Sequence, residues 1–113
     1  MDFAEQFERT DRLKFLLCHI PTAWLDWEYI DCYPVDVVFS GHYHGGQIRL
    51  PGIGGLVAPY VGLFPEYTKG VFYGEQAVCV LSAGVGTEEN IPRINNFPEV
   101  VVVDLEKNTE KTK

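Results

Sequence analysis

Three residues in this 113-residue chain have the chemistry and placement to build a reactive site: the histidines His19, His42 and His44. His42 and His44 stand two apart in the stretch Gly41-His42-Tyr43-His44-Gly45-Gly46, straight after the apolar run 35–39. In an extended segment residues i and i+2 point the same way, so a turn following a strand can aim both imidazoles at one point. Glycine on both sides lets the backbone turn sharply there. A lone H-x-H pair is more often a pair of hydrogen-bonded loop residues, but the flanking glycines and the preceding apolar strand tip the reading toward a ligand pair. His19 closes a second apolar run, 13–18, and taken alone reads as a structural histidine. Its case rests on placement, and three convergent imidazoles would suit a divalent ion of the borderline-soft kind.

That placement depends on the elements around the histidines. The run 13–18 predicts a buried strand ended by Pro21, and Thr22 is an N-cap candidate for a helix over 22–30 with Trp24, Trp27 and Ile30 near one face. Tyr33-Pro34 ends that helix, and 35–39 predicts a second buried strand. Two strands joined by a helix are parallel neighbours, so their C-terminal ends share one edge of the sheet, where the sites of open α/β sheets collect. Residues 2–11 carry apolar positions at helical spacing, as at the end of a helix. Downstream, the pattern predicts a short strand at 47–50, a turn cluster at 51–55 and an ordered aromatic loop at 58–67. A β-hairpin follows, 70–73 and 77–81 around Gly74-Glu75-Gln76, then a glycine loop at 83–87 and a terminal strand at 99–105. Residues 1–105 thus form one α/β (α+β) unit, strand-helix-strand followed by antiparallel hairpins, with a charged tail at 106–113.

Composition narrows the partners. A formal charge of −7, from 9 basic and 16 acidic side chains, argues against a nucleic-acid patch or an anionic-membrane surface held by bulk electrostatics. The longest apolar runs fall far short of a bilayer span, and the first ten residues are polar and acidic, so neither a membrane span nor a signal peptide is expected in this chain. Cys18, Cys32 and Cys79 are odd in number and lack C-x-x-C spacing, which fits packing residues in a reducing, cytoplasmic compartment.

Several stretches together resemble the calcineurin-like metallophosphoesterases. They are Leu17-Cys18-His19-Ile20-Pro21; Val37-Val38-Phe39-Ser40-Gly41-His42-Tyr43-His44-Gly45-Gly46-Gln47-Ile48-Arg49-Leu50-Pro51; Ser82-Ala83-Gly84-Val85-Gly86-Thr87; and Pro92-Arg93-Ile94-Asn95-Asn96-Phe97-Pro98-Glu99. The likeness is to the C-terminal half of that family, in the often membrane-associated bacterial branch that carries G-H-T-H-G-G-Q. It implies half of a four-layer β-sandwich and a phosphomonoesterase or phosphodiesterase activity in the complete protein. In the family, two divalent ions (Mn, Fe or Zn) are bridged by an aspartate and a hydroxide that attacks phosphorus. By resemblance, His19 and His42 would ligate one metal and His44 the other. Arg49 and Gly45 are weaker candidates for contact with a substrate phosphate, since a strand-edge arginine is more often solvated. The family's D-x-H, G-D and G-N-H motifs do not occur in this sequence. The resemblance therefore implies an incomplete site, inactive as an isolated chain, whose partner is an N-terminal half or a second copy.

Two other classes compete. A cupin-like small β-barrel also presents an H-x-H pair from a strand, although the glutamate that follows in that pattern is absent here, the next acid after His44 being Glu66. The other is a non-catalytic piece that serves packing. A helix at 22–30 would favour the phosphoesterase half and a strand there the barrel. The continuous apolar runs 13–18, 35–39, 77–81 and 100–103 are the pattern of strands covered on both faces, more cover than 113 residues supply. Open apolar surface is therefore expected, together with self-association of the chain.

Overall fold

The computed structural model describes residues 3–87 and 90–107, so residues 108–113 of the expected charged tail lie outside the described residues. In chain order the elements are helix α1 (Phe3–Arg9) and strands β1 (Phe15–Leu17), β2 (Val37–Ser40), β3 (Arg49–Leu50), β4 (Gly54–Gly55), β5 (Val57–Ala58), β6 (Gly62–Leu63), β7 (Gly70–Tyr73) and β8 (Val78–Leu81). The main sheet has the order β1-β2-β8-β7. β1, β2 and β8 run parallel, while β7 returns antiparallel beside β8 as the hairpin around residues 74–76 requires. Two small antiparallel ladders, β3 with β4 and β5 with β6, sit beside it. The fold is the mixed α/β type expected, with one short helix and antiparallel hairpins.

β2 and β8 form the centre of the sheet because their sequences suit it: Val37, Val38, Val78 and Val80 are β-branched and pack well on a pleated surface. Val38, Cys79 and Leu81 are fully buried and join Leu25, Val35, Tyr43 and Ala58 in one core cluster. Burial pushes the Cys79 thiol up to about 11, so it stays protonated and inert at neutral pH. α1 spans only two turns, too short to persist alone, and is held by Phe7 against the core.

Two expected elements take another form. Residues 21–30 do not form a helix. The Pro21 carbonyl accepts from both Trp24 and Leu25, and Glu28 turns left-handed at φ 60°, so the segment folds into successive turns. This compact route delivers Leu25 to the core and packs Trp24 and Ile30 against it, while Trp27, expected on the same face, is exposed. Neither outcome at 22–30 therefore separates the phosphoesterase half from the barrel, but the strand directions do. A cupin-type barrel is antiparallel throughout, whereas three of the four strands here are parallel. The second correction concerns 99–105, which enters no ladder. Glu99 anchors it, its N–H donating to the Gly84 carbonyl and its Oε1 accepting from Ala83 N–H. Beyond it the valines alternate in exposure, 80, 39, 82 and 39% from Val100 to Val103, as an extended segment lying on one side does. Within the aromatic loop, the β5–β6 ladder supplies a structured turn where no strand was expected.

The β7–β8 turn is tied down by Asp31. Its carboxylate accepts from the N–H groups of Glu75, Gln76 and Ala77 at 2.8, 3.0 and 3.3 Å, and the Gln76 and Glu75 bonds hold its pKa below the ordinary aspartate value. A carboxyl depressed by folding stabilises the native state above its unfolded pKa of about 3.9 and loses that contribution as pH falls through the folded value. Asp31→Ala is therefore expected to speed amide exchange at Glu75, Gln76 and Ala77 at pH 6. The difference from wild type should shrink toward pH 3, which exchange measured across that range checks.

Candidate metal-binding and phosphoester site

The parallel pairing of β1 with β2 continues past both strands. Cys18 N–H donates to the Phe39 carbonyl at 3.0 Å and Gly41 N–H to the His19 carbonyl at 2.9 Å, so the two chains leave the sheet together. His19 and His42 consequently meet. His42 Nδ1 lies 3.2 Å from His19 Nε2, with ring centroids 5.0 Å apart and planes near perpendicular at 72°. Tyr60 stacks on the His42 ring at 5.6 Å and 18°, while its own side chain is largely exposed.

His44 begins a single 3-10 turn, His44–Gly46, and its Nδ1 lies 3.2 Å from the Gly86 carbonyl. A carbonyl oxygen can only accept, so Nδ1 is the donor in this contact, and in a neutral ring that leaves the Nε2 lone pair open. Both histidines of the pair sit in left-handed backbone, His42 at φ 71° and His44 at φ 49°, a conformation that costs about 1 kcal/mol or more per residue unless the surroundings enforce it.

The enforcement comes from side chains of the segment Pro92-Arg93-Ile94-Asn95-Asn96. Asn96 is buried, and its Nδ2 donates to the carbonyls of His44 at 2.5 Å and Gln47 at 3.1 Å. Arg93 gathers the glycine loop, donating to the Gly86 carbonyl at 2.6 Å, the Gly84 carbonyl at 2.9 Å and the Ala83 carbonyl. Gly86 thus accepts from both Arg93 and His44, which couples the second glycine loop to the histidine turn. Ile94 bridges to Ile48 in a parallel contact and carries Arg93 and Asn96 to either side. In the sequence these residues stand out only as part of the stretch 92–99 that resembles the family, with no role assigned to Arg93 or Asn96.

Arg49 and Gly45 meet each other. Arg49 Nη1 donates to the Gly45 carbonyl at 2.9 Å and to Thr68 Oγ1 at 2.8 Å. Gly45, at φ 64°, packs directly against the Asn96 amide, leaving no room for a Cβ. Phe64 is exposed, and Tyr67 turns inward with its ring 4.8 Å from Phe72, so of the aromatic loop Tyr60 alone stacks on a candidate histidine. Among the described residues no three His, Cys, Asp or Glu side chains gather into a group able to hold a metal.

The chain was compared with known proteins. It is 36% identical over 97 residues to the uncharacterized metallophosphoesterase YkuE of Bacillus subtilis (strain 168), a match covering 85% of the chain and 32% of that protein. It is 32% identical over 93 residues to the phosphodiesterase YaeI of Escherichia coli (strain K12), covering 81% of the chain and 32% of that protein. The chain is homologous to metallophosphoesterases. The uncharacterized protein YpbG of Bacillus subtilis (strain 168) is similar as well, 35% identical over 95 residues, or 83% of the chain and 32% of that protein. The chain spans about a third of the length of the curated relatives it matches. No family profile matches it, and no solved structure does.

Asn96→Ala removes both side-chain bonds to the His44-to-Gln47 turn, whose two carbonyls keep only their backbone donors, Gln47 N–H and Ile94 N–H. The variant should lose about 2 kcal/mol of stability, read as a lower urea midpoint at unchanged slope.

Proposed function

We propose that the complete protein of this metallophosphoesterase homologue hydrolyses phosphomonoesters or phosphodiesters with divalent metal ions, and that this chain supplies His19 and His42 to one ion and His44 to a second. The observation that carries the reading is the 3.2 Å approach of His42 Nδ1 to His19 Nε2 at the C-terminal edge of parallel strands. That spacing suits two donors on one metal as well as a hydrogen bond, because a tetrahedron with arms of about 2.1 Å has edges of about 3.4 Å. His44, with Nδ1 donating to the Gly86 carbonyl, offers Nε2 as a separate donor. The donor set thus fits part of each ligand shell. Three imidazoles do not complete two shells, and on this reading carboxylates from elsewhere in the complete protein fill them, the matched relative being about three times as long as the stretch shared with this chain.

When bound, divalent ions supply Lewis acidity toward a phosphoryl oxygen and lower the pKa of water. This chain's own contribution is to bring the imidazoles together at one sheet edge and to stack Tyr60 on His42. The local cations also explain how a chain of charge −7 serves an anionic substrate. The three cysteines are all free, which agrees with a reducing, cytoplasmic setting, and among the described residues no helix is long and apolar enough to cross a membrane.

In the full-length protein, Mn²⁺-dependent hydrolysis of bis-p-nitrophenyl phosphate is expected, falling at least a hundredfold in His42→Ala. The isolated 113-residue chain should show no metal-stimulated turnover. Metal-independent hydrolysis by the full-length protein, or full activity of His42→Ala, would overturn the reading.

The chain's remaining surface supports a missing partner or self-association. Leu13 and Leu17 on the outer edge of the sheet are 55 and 82% exposed, and Phe97, Val100 and Val102 are each 80% exposed or more. Sedimentation velocity at micromolar concentration is expected to show oligomers of the isolated chain, and a single compact monomer would refute this.

A further inference from the structure

Tyr43, the residue between His42 and His44, is fully buried. Its hydroxyl lies 2.7 Å from Thr22 Oγ1 and donates to Asp26 Oδ2 at 2.6 Å. Burial first, and the Asp26 contact second, raise the Tyr43 pKa far above the ordinary phenol value, so the hydroxyl stays a donor. Thr22 and Asp26 belong to the turn segment that begins directly after His19, and that segment is itself fastened by the Pro21 carbonyl and by Leu25 in the core.

We infer that Tyr43 is a positioning residue which, through Thr22 and Asp26, sets the distance between the His19 and His42 imidazoles. Besides the contact between the two rings, two bonds between the loops that carry these histidines bear on their spacing. One is the backbone bond from Gly41 N–H to the His19 carbonyl, which fixes where the chains part. The other is the Tyr43 hydroxyl, which ties the residue after His42 to Thr22 and Asp26. Because His42 and His44 both adopt left-handed backbone, the turn has no intrinsic preference for this shape, and the buried ring between them is the anchor that selects it. A tyrosine there has the reach to cross from the turn to Asp26 and a hydroxyl able to satisfy both partners. The inference rests on reading the histidines as ligands only for its consequence, since the positioning itself is a property of the chain without metal.

Two measurements separate the two claims. Nuclear Overhauser contacts between the ring protons of His19 and His42, recorded on histidine-labelled chain without metal, report the positioning directly. Calorimetric titration with Zn²⁺ reports the ligand role. Tyr43→Phe keeps the buried ring and is expected to lose the cross-peak and to weaken Zn²⁺ binding about 10- to 100-fold, as loss of a supporting hydrogen bond does elsewhere. Asp26→Ala should reproduce both losses, whereas Asp26→Asn, which keeps an oxygen acceptor, should restore them. If wild type shows the cross-peak but binds no Zn²⁺, the metal reading fails and the positioning is still decided by the variants. A folded Tyr43→Phe chain with the wild-type cross-peak and affinity overturns the inference. So does global unfolding of both Tyr43→Phe and Asp26→Ala, which would make the tyrosine a core residue and nothing more.

Discussion

Everything at the candidate site depends on the parallel register of β1 and β2. Phe15, Leu16 and Leu17 stand beside Val37, Val38 and Phe39, and the pairing runs on as Cys18 to Phe39 and Gly41 to His19. Parallel strands end at the same edge, so a histidine that follows one and a histidine that follows the other are neighbours although 23 residues separate them. Antiparallel pairing of the same two strands would put the histidines at opposite ends of the sheet. β8, parallel to β2 on its other side, brings the Ala83–Gly86 loop to that edge too, which is how the Gly86 carbonyl reaches His44.

Around that edge the backbone is unusually dependent on side chains. Loops rich in glycine and in left-handed residues leave their carbonyls pointing away from any ladder, and buried carbonyls need donors. Arg93, Arg49 and Asn96 provide them, each donating to more than one partner. Guanidinium and amide groups suit the work because they present several N–H donors in fixed planes. The same groups would be natural anion binders if exposed. Here Arg49 Nη1 and two nitrogens of Arg93 are committed to the loops that shape the site.

The apolar surface tells a consistent story with the length of the relatives. β1 is an outer strand whose exposed residues include Leu17, and the segment after Glu99 presents alternating valines without a ladder partner among the described residues. β2 and β8, by contrast, are flanked on both sides and bury Val38, Cys79 and Leu81 completely. Burial in the molecule therefore falls off from the β2–β8 centre toward the β1 edge and the segment after Glu99.

The sequence by itself determined the strand β2, the place of β1 though not its expected burial, the 70–81 hairpin and the glycine-flanked turn, because β-branched runs and glycines act through local sterics that neighbours in the chain already fix. It also carried the family likeness, in Gly41-His42-Tyr43-His44-Gly45-Gly46-Gln47. It misjudged 22–30 and 99–105. Helical spacing of Trp24, Trp27 and Ile30 is equally met by turns once Leu25 is pulled into the core, and an apolar run becomes a strand only if another strand lies beside it. Tertiary structure alone decided what Tyr43, Asp26, Arg93 and Asn96 do. Their hydrogen bonds cross 7 to 52 positions of sequence, and a donor's partner at that range is set by where the sheet delivers the chain, which no local pattern encodes.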